Sequence, residues 1–157
     1  VLILRKITML LLTVASIFIL ITGCVNNLEK SNVEISNEIV PIIMKIEEDS
    51  MSETKAKLII ENIEEVVVEF GAKYSIEKKI DNNWYKLPYK DNQDEDSIAW
   101  IEILYSLNSE NKKFESELDW SHLYGKLEPG NYRIIKSFTI GEDYENKYVL
   151  SAEFIIE

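Results

Sequence analysis

One cysteine, one histidine, three prolines and five glycines are all that this 157-residue chain holds of the residue types that most often equip or punctuate a fold. The single cysteine, Cys24, rules out a disulfide within one molecule, so a folded domain must hold together by its core alone. The single histidine, His122, rules out a histidine-based metal cluster and would have to serve alone in any Ser-His-Asp site. Its neighbour Ser121 is badly placed for that, because triads are assembled from distant positions. His122 is therefore read as a surface or structural residue. The five glycines form no phosphate loop and no dinucleotide fingerprint. Positive charge is scarce as well: 17 Lys and Arg stand against 28 Asp and Glu, a net charge of −11. That balance disfavours nucleic acid and repels anionic phospholipid head groups, and its ordinary use is solubility.

What is present begins with a basic start (Arg5, Lys6), an apolar or small stretch from Ile7 to Ile21, and the tetrapeptide Ile21-Thr22-Gly23-Cys24. The stretch is shorter than the ~20 apolar residues that cross a ~30 Å hydrocarbon core, and it ends at small residues rather than at a basic stop-transfer cluster. This is the layout of a secretory signal. The tetrapeptide resembles the bacterial lipobox, which implies cleavage before Cys24 and a diacylglycerol anchor on its sulfur. Lipidation also explains why an exported chain keeps one unpaired cysteine. The competing reading is an uncleaved anchor helix with an incidental cysteine. The expected organisation is a signal peptide over 1–23, a lipid-anchored flexible tether over 24–38 and a domain over 39–157. The chain is expected at the cell membrane, facing outside the cytoplasm. Both basic residues of the signal leave with it while all 28 acidic ones stay, so the mature part carries −13.

The tether is polar, rich in Asn, Ser and Glu, with no sustained period. From Ile39 the texture changes to short β-branched and aromatic runs bounded by turn residues, which are strand signals. Ile42, Met44 and Ile46 alternate, as do Ala56, Leu58 and Ile60. Val66 to Phe70 form a third run, broken at Gly71, and Tyr74, Ile76, Lys78 and Ile80 share one period-2 face. Asp81-Asn82-Asn83 predicts a tight hairpin into Trp84–Pro88, because Asp and Asn tolerate the left-handed conformation such turns require. Ile98 to Leu107 is expected as a strand, with a helix as the alternative. Asp119 is placed to cap a helical turn from Trp120 to Tyr124 that stops at Gly125. Two last strands, Tyr132 to Ile140 and Tyr148 to Ile156, complete the pattern. About seven strands and one short helical turn indicate an all-β, antiparallel sandwich.

The densest charge cluster is Asp91-Asn92-Gln93-Asp94-Glu95-Asp96. Asp91 and Glu102 coincide with the first and twelfth positions of a calcium-binding EF-hand loop. Position six, where that loop needs glycine, is Asp96, and no flanking helices are expected. A solvated loop is the plainer reading. Paired carboxylates of the glycosidase kind are not excluded by number, though nothing marks a pair. The three tryptophans and eight tyrosines could build a carbohydrate or peptide surface. Trp84 and Trp120 are expected to be mostly buried, while Trp100, beside the acidic loop, is the candidate for contact with a ligand.

The segment Leu127-Glu128-Pro129-Gly130-Asn131-Tyr132 has the spacing of a tyrosine corner, in which the Tyr132 phenol bonds upstream backbone near Leu127 or Glu128. A longer pattern resembles a bacterial Ig-like domain family found on lipoproteins and membrane sensor proteins of Gram-positive bacteria. It is carried by Gly71, Tyr74, Ile76 and Glu77, by Trp84-Tyr85, by Trp120, Leu123-Tyr124-Gly125 and Leu127, and by Pro129-Gly130 and Tyr132-Arg133-Ile134. It covers roughly Ile39 to the C-terminus and implies an Ig-like sandwich, extracellular display and no catalytic activity. It brings no functional residues, so Cys24 is the one site residue expected, with no catalytic, cofactor or metal residue named. The reading is a non-catalytic binding or interaction module whose ligand is unknown, a protein or a cell-envelope component. The alternatives are an enzyme acting on envelope polymers through carboxylates, or an accessory subunit of a surface complex.

Overall fold

A computed structural model describes residues 28–36 and 40–157 of the chain. It contains nine antiparallel strands in two sheets. The smaller sheet is β1 (Ile42–Ile46), β2 (Lys55–Asn62) and β7 (Lys113–Asp119), with β2 in the middle. The larger is built on the eleven-residue β8 (Gly130–Ile140). Along one side of β8 runs β9 (Tyr148–Ile156). Along the other run β4 (Ser75–Ile80), opposite Tyr132–Ile135, and β3 (Val68–Gly71), opposite Thr139–Ile140. β5 (Asn83–Lys86) lies beyond β4, and β6 (Leu104–Leu107) beyond β3. The all-β sandwich expected from the pattern is present, with nine strands rather than about seven.

Alternation explains most of it. Along β8 the residues Tyr132, Ile134 and Phe138 face the other sheet and are buried with Trp120, Leu58 and Ile60, because successive side chains of a strand point to opposite faces. The β4–β5 hairpin turns at Asp81 and Asn82, both at positive φ (47° and 63°), as the twist of a two-residue turn demands. The helical turn after β7 also forms. Asp119 Oδ1 accepts the Ser121 N–H at 2.9 Å, Tyr124 N–H reaches Trp120 O at 2.8 Å, and Gly125 ends the turn at φ 74°. The tyrosine corner is closed by the Tyr132 hydroxyl donating to Glu128 O at 2.6 Å.

Four expectations differ. β7, Lys113–Asp119, is a strand that the pattern leaves unassigned; it pairs with β2 over seven positions. Only Phe114 and Leu118 are apolar on its inward face, and its charged outer face disguises it. Ile98 to Leu107 is neither one strand nor a helix: Leu104–Leu107 pairs with β3, while Ile98–Ile103 is irregular. Trp84 is half-buried rather than core, because its register partner is Lys79 and that pair points to the outer face. The fourth concerns the tether. Residues 28–36 of the expected flexible span are laid on the sheet, whereas 24–27 and 37–38 lie outside the described residues. Lys30 bridges Tyr85, Ser31 N–H donates to Trp84 O and Lys86 N–H donates to Glu29 O, both at 2.9 Å. Ser36 then exchanges bonds with Val149 on β9: its N–H donates to Val149 O at 2.8 Å and its Oγ accepts the Val149 N–H at 2.9 Å. Between these anchor points the chain straps across the outer face of β4 and β8. Among the described residues no helix is long and apolar enough to cross a membrane.

Candidate functional site

The break at Gly71 shapes the site. Five residues, Phe70–Tyr74, oppose only three, Lys136–Phe138, between the β3 and β4 pairings with β8. The excess makes a bulge, which leaves carbonyls without ladder partners on that side. Lys136 fills the gap. It stands on the inward face of β8 between the two halves of the core, 4% exposed. Its ammonium donates to Gly71 O at 2.8 Å, Lys73 O at 2.9 Å and Ala72 O at 3.3 Å. Among the described residues no carboxylate pairs with it, and burial pushes its pKa down to about 8.

Over this cation lies a cavity of about 450 Å³ between the sheets, walled by Leu58, Phe70, Tyr105, Phe114 and Leu118 and covered by Ile98–Ile101. Tyr74 and Trp100 line it too. The Tyr74 hydroxyl and the Trp100 Nε1–H are buried and have no hydrogen-bond partner among the described residues, and their rings meet edge to face with centroids 5.3 Å apart. Burial, and then the charge of Asp119, hold the Tyr74 phenol protonated far above its ordinary range. Buried polar groups without partners are uncommon, and each costs about 1–3 kcal/mol. Three other surface grooves are larger: one of about 660 Å³ along β3 and β4 shares Tyr74 and Lys136 with this cavity, and two others measure about 750 Å³ beside Glu53 and Glu153 and about 830 Å³ beside Pro88 and Glu128. Of the three, none is lined by Trp100.

The rim residues are engaged. Glu117 pairs with Lys55 at 3.0 Å, and Asp119 caps the turn, where its hydrogen bonds with Ser121 hold its pKa below the usual range. His122 is exposed beside them, next to Ser121, whose N–H goes to Asp119. The acidic stretch Asp91–Asp96 is exposed throughout and folds into two 3₁₀ turns, with Asp91 and Asn92 at positive φ. Glu95 meets Lys73 at 2.5 Å, and that pair lowers the Glu95 pKa. Among the described residues no three Asp, Glu, His or Cys side chains gather to hold a metal ion. Glu77 is the one buried carboxylate there. Its Oε2 accepts from Arg133 Nε and Nη2 at 2.8 and 2.6 Å and its Oε1 from Ser31 Oγ at 2.5 Å. Cys24 lies outside the described residues.

Trp120, fully buried with its Nε1 bonded to Glu53 O at 3.0 Å, is a core residue. Trp100 alone of the three tryptophans brings an unpartnered group to a cavity. Sequence reading passed over Lys136, although the alternation Tyr132, Ile134, Lys136, Phe138 places a lysine on an apolar face.

The profile of a family described as a bacterial Ig-like domain matches residues 33–155. No curated protein matches the chain. The match begins within the strap.

Proposed function

Because the chain belongs to the bacterial Ig-like domain family, we propose that it is a binding module held at the outer side of a membrane by lipid on Cys24, with its ligand engaging the cavity above Lys136. The family's sandwich is a scaffold for interaction rather than catalysis. The observation that carries the binding role is the pair of buried donors, Tyr74 and Trp100, unpartnered among the described residues, at a cavity with an apolar wall and a polar rim of Ser116, Glu117, Asp119 and His122. A pocket of that kind, largely apolar with a few placed polar groups, is the usual form of a small-molecule site. The acid–base alternative lacks a comparable observation: the buried carboxylate, Glu77, is consumed by Arg133 and Ser31 on the opposite face of the sheet.

The anchor is supported by the basic start, the short apolar stretch and the lone cysteine after Gly23. The strap supports it as well, since Glu29 and Ser31, a few residues beyond Cys24, are bonded to the edge of β5. A domain so tethered sits close to the bilayer, where its net negative charge holds it off anionic head groups. Metabolic labelling with a palmitate analogue tests the anchor. The wild type should be labelled and sediment with membranes, and Cys24→Ser should lose both properties. Label retained by the serine variant removes the lipoprotein assignment.

A further inference from the structure

Tyr74, Trp100 and Lys136 come from three separate segments, and at the cavity they offer only positive or hydrogen-donating chemistry. The Trp100 Nε1–H is a donor with no acceptor capacity, so whatever satisfies it must bring a lone pair. The Tyr74 phenol stays protonated and can donate. The three N–H bonds of Lys136 are spent on carbonyls of the bulge, but its charge is not, and among the described residues no carboxylate lies in ion-pair contact with it. On the wall opposite, Leu58, Phe114 and Leu118 are apolar, and the two carboxylates at the rim are already engaged, Glu117 by Lys55 and Asp119 by the Ser121 N–H. The covering segment is lightly held. From Ala99 to Ile103 the one main-chain N–H that donates to another main-chain group is that of Ile103, to Ile101 O at 3.0 Å, and Ile101 and Ile103 face solvent at 75% and 43% exposure. Segments with so few internal bonds open at low free-energy cost.

We infer that this cavity takes a small carboxylate with an apolar body, its two oxygens accepting from Tyr74 and Trp100 above the Lys136 ammonium, and entering as Ile98–Ile103 lifts. The assignment rests on the cavity being where the module binds. The apolar body replaces water against Phe70, Tyr105 and Phe114, and the head group supplies the acceptors that both orphaned donors lack. A carboxylate also meets the positive field of Lys136 in a setting of low polarity, where such an interaction is strong. A neutral alcohol offers one oxygen and no charge, and an ammonium ion offers no acceptor and is repelled.

The test uses three probes with one body: phenylpropionate, phenylpropanol and phenylpropylammonium. Each is titrated calorimetrically into the full chain in nanodiscs, with empty nanodiscs as the blank. In parallel, ¹⁹F spectra of fluorotryptophan-labelled protein follow the Trp100 resonance, assigned with Trp100→Phe. Phenylpropionate should shift that resonance and bind at least tenfold more tightly than the alcohol, and the ammonium probe should leave the resonance unmoved. Tyr74→Phe, a substitution the core accommodates, should weaken phenylpropionate about tenfold and leave the alcohol unchanged, and Lys136→Met should abolish the preference for the acid. If the alcohol binds as tightly as the acid, the carboxylate assignment is overturned while the cavity remains the binding site. If no probe moves the Trp100 resonance, the binding role of the cavity falls with it.

Discussion

Arg133 and Lys136 are three residues apart on one strand, both buried, both cationic, and they face opposite sides of the sheet. Under the strap, Arg133 has a counter-charge and an aromatic face. Glu77 receives two of its N–H groups, Trp84 stacks on its guanidinium at 4.5 Å, and Ser31 completes the carboxylate. Under Ile98–Ile103, Lys136 has carbonyl dipoles and an aromatic face, Phe70 at 5.8 Å, but no counter-charge among the described residues. A closed ion pair holds a fold together but leaves nothing over for a ligand. A cation solvated by backbone alone keeps its field, at the expense of stability. The outer face is thus the structural side of β8 and the inner face at Lys136 the side with chemistry to spare.

The sharpest way to break this comparison is to cut the pair on the structural side. Glu77→Ala leaves the Arg133 charge buried and unpaired, and it should destabilise the domain by about 3–5 kcal/mol in urea unfolding. A loss below about 1 kcal/mol would mean that Arg133 finds water, and the contrast with Lys136 would vanish.

Titration probes the other side. In the unfolded chain Lys136 has its ordinary pKa of 10.5, and in the fold burial holds it at about 8. Between those values the unfolded chain carries the extra proton, so stability rises with pH across the window and is lowest below it. The gain from pH 8 to pH 10 should be about 2 kcal/mol and should be missing from Lys136→Met. Tyr74 and Tyr124, whose ionisation burial suppresses, act in the reverse sense only above their ordinary 10.0. A flat profile from pH 8 to 10 in the wild type would show that Lys136 is charged in the fold throughout.

Smaller effects sharpen the picture. Tyr132→Phe strips the Glu128 carbonyl of its donor and should cost about 1–3 kcal/mol, read as a lower urea midpoint with an unchanged slope. Ser31→Ala removes one of the three bonds to Glu77 from the strap and should cost about 0.5–1.5 kcal/mol. In a Glu77→Gln background the serine substitution should cost less, which a double-mutant cycle measures.

The legible parts of the sequence were those in which local chemistry and tertiary role agree. Asp81-Asn82 turns because of its own backbone preferences, Gly125 ends a turn because it lacks a Cβ, and Tyr132 lies at a fixed distance from Glu128 along the chain. The obscure parts depend on partners far away. β7 shows only two apolar residues on its inward face, and its membership is decided by β2, more than fifty residues earlier. Residues 28–36 are polar because their backbone, rather than their side chains, makes most of the attachment, so a composition argument for a tether misses it. Trp84 failed as a core residue because the register with Lys79 outweighs the general tendency of tryptophan to be buried. Lys136 was readable from alternation, but its partners were not: three consecutive carbonyls turned toward it by a bulge that no residue type announces.

The strap also decides how the domain meets force. A pull on the N-terminal side reaches Glu29 and Ser31 first, where a few hydrogen bonds join the chain to the edge of β5. Those bonds lie in the plane of the sheet, whereas the next anchorage, Ser36 on β9, is on its far side. Tension would therefore release the strap in stages, first from β5 and then from β9, and each stage pays out slack before load reaches β1 and the core. The same peeling would uncover Glu77 and Arg133 while Lys136 stays closed beneath the opposite face, so the structural side of β8 yields to tension before the side facing the cavity does.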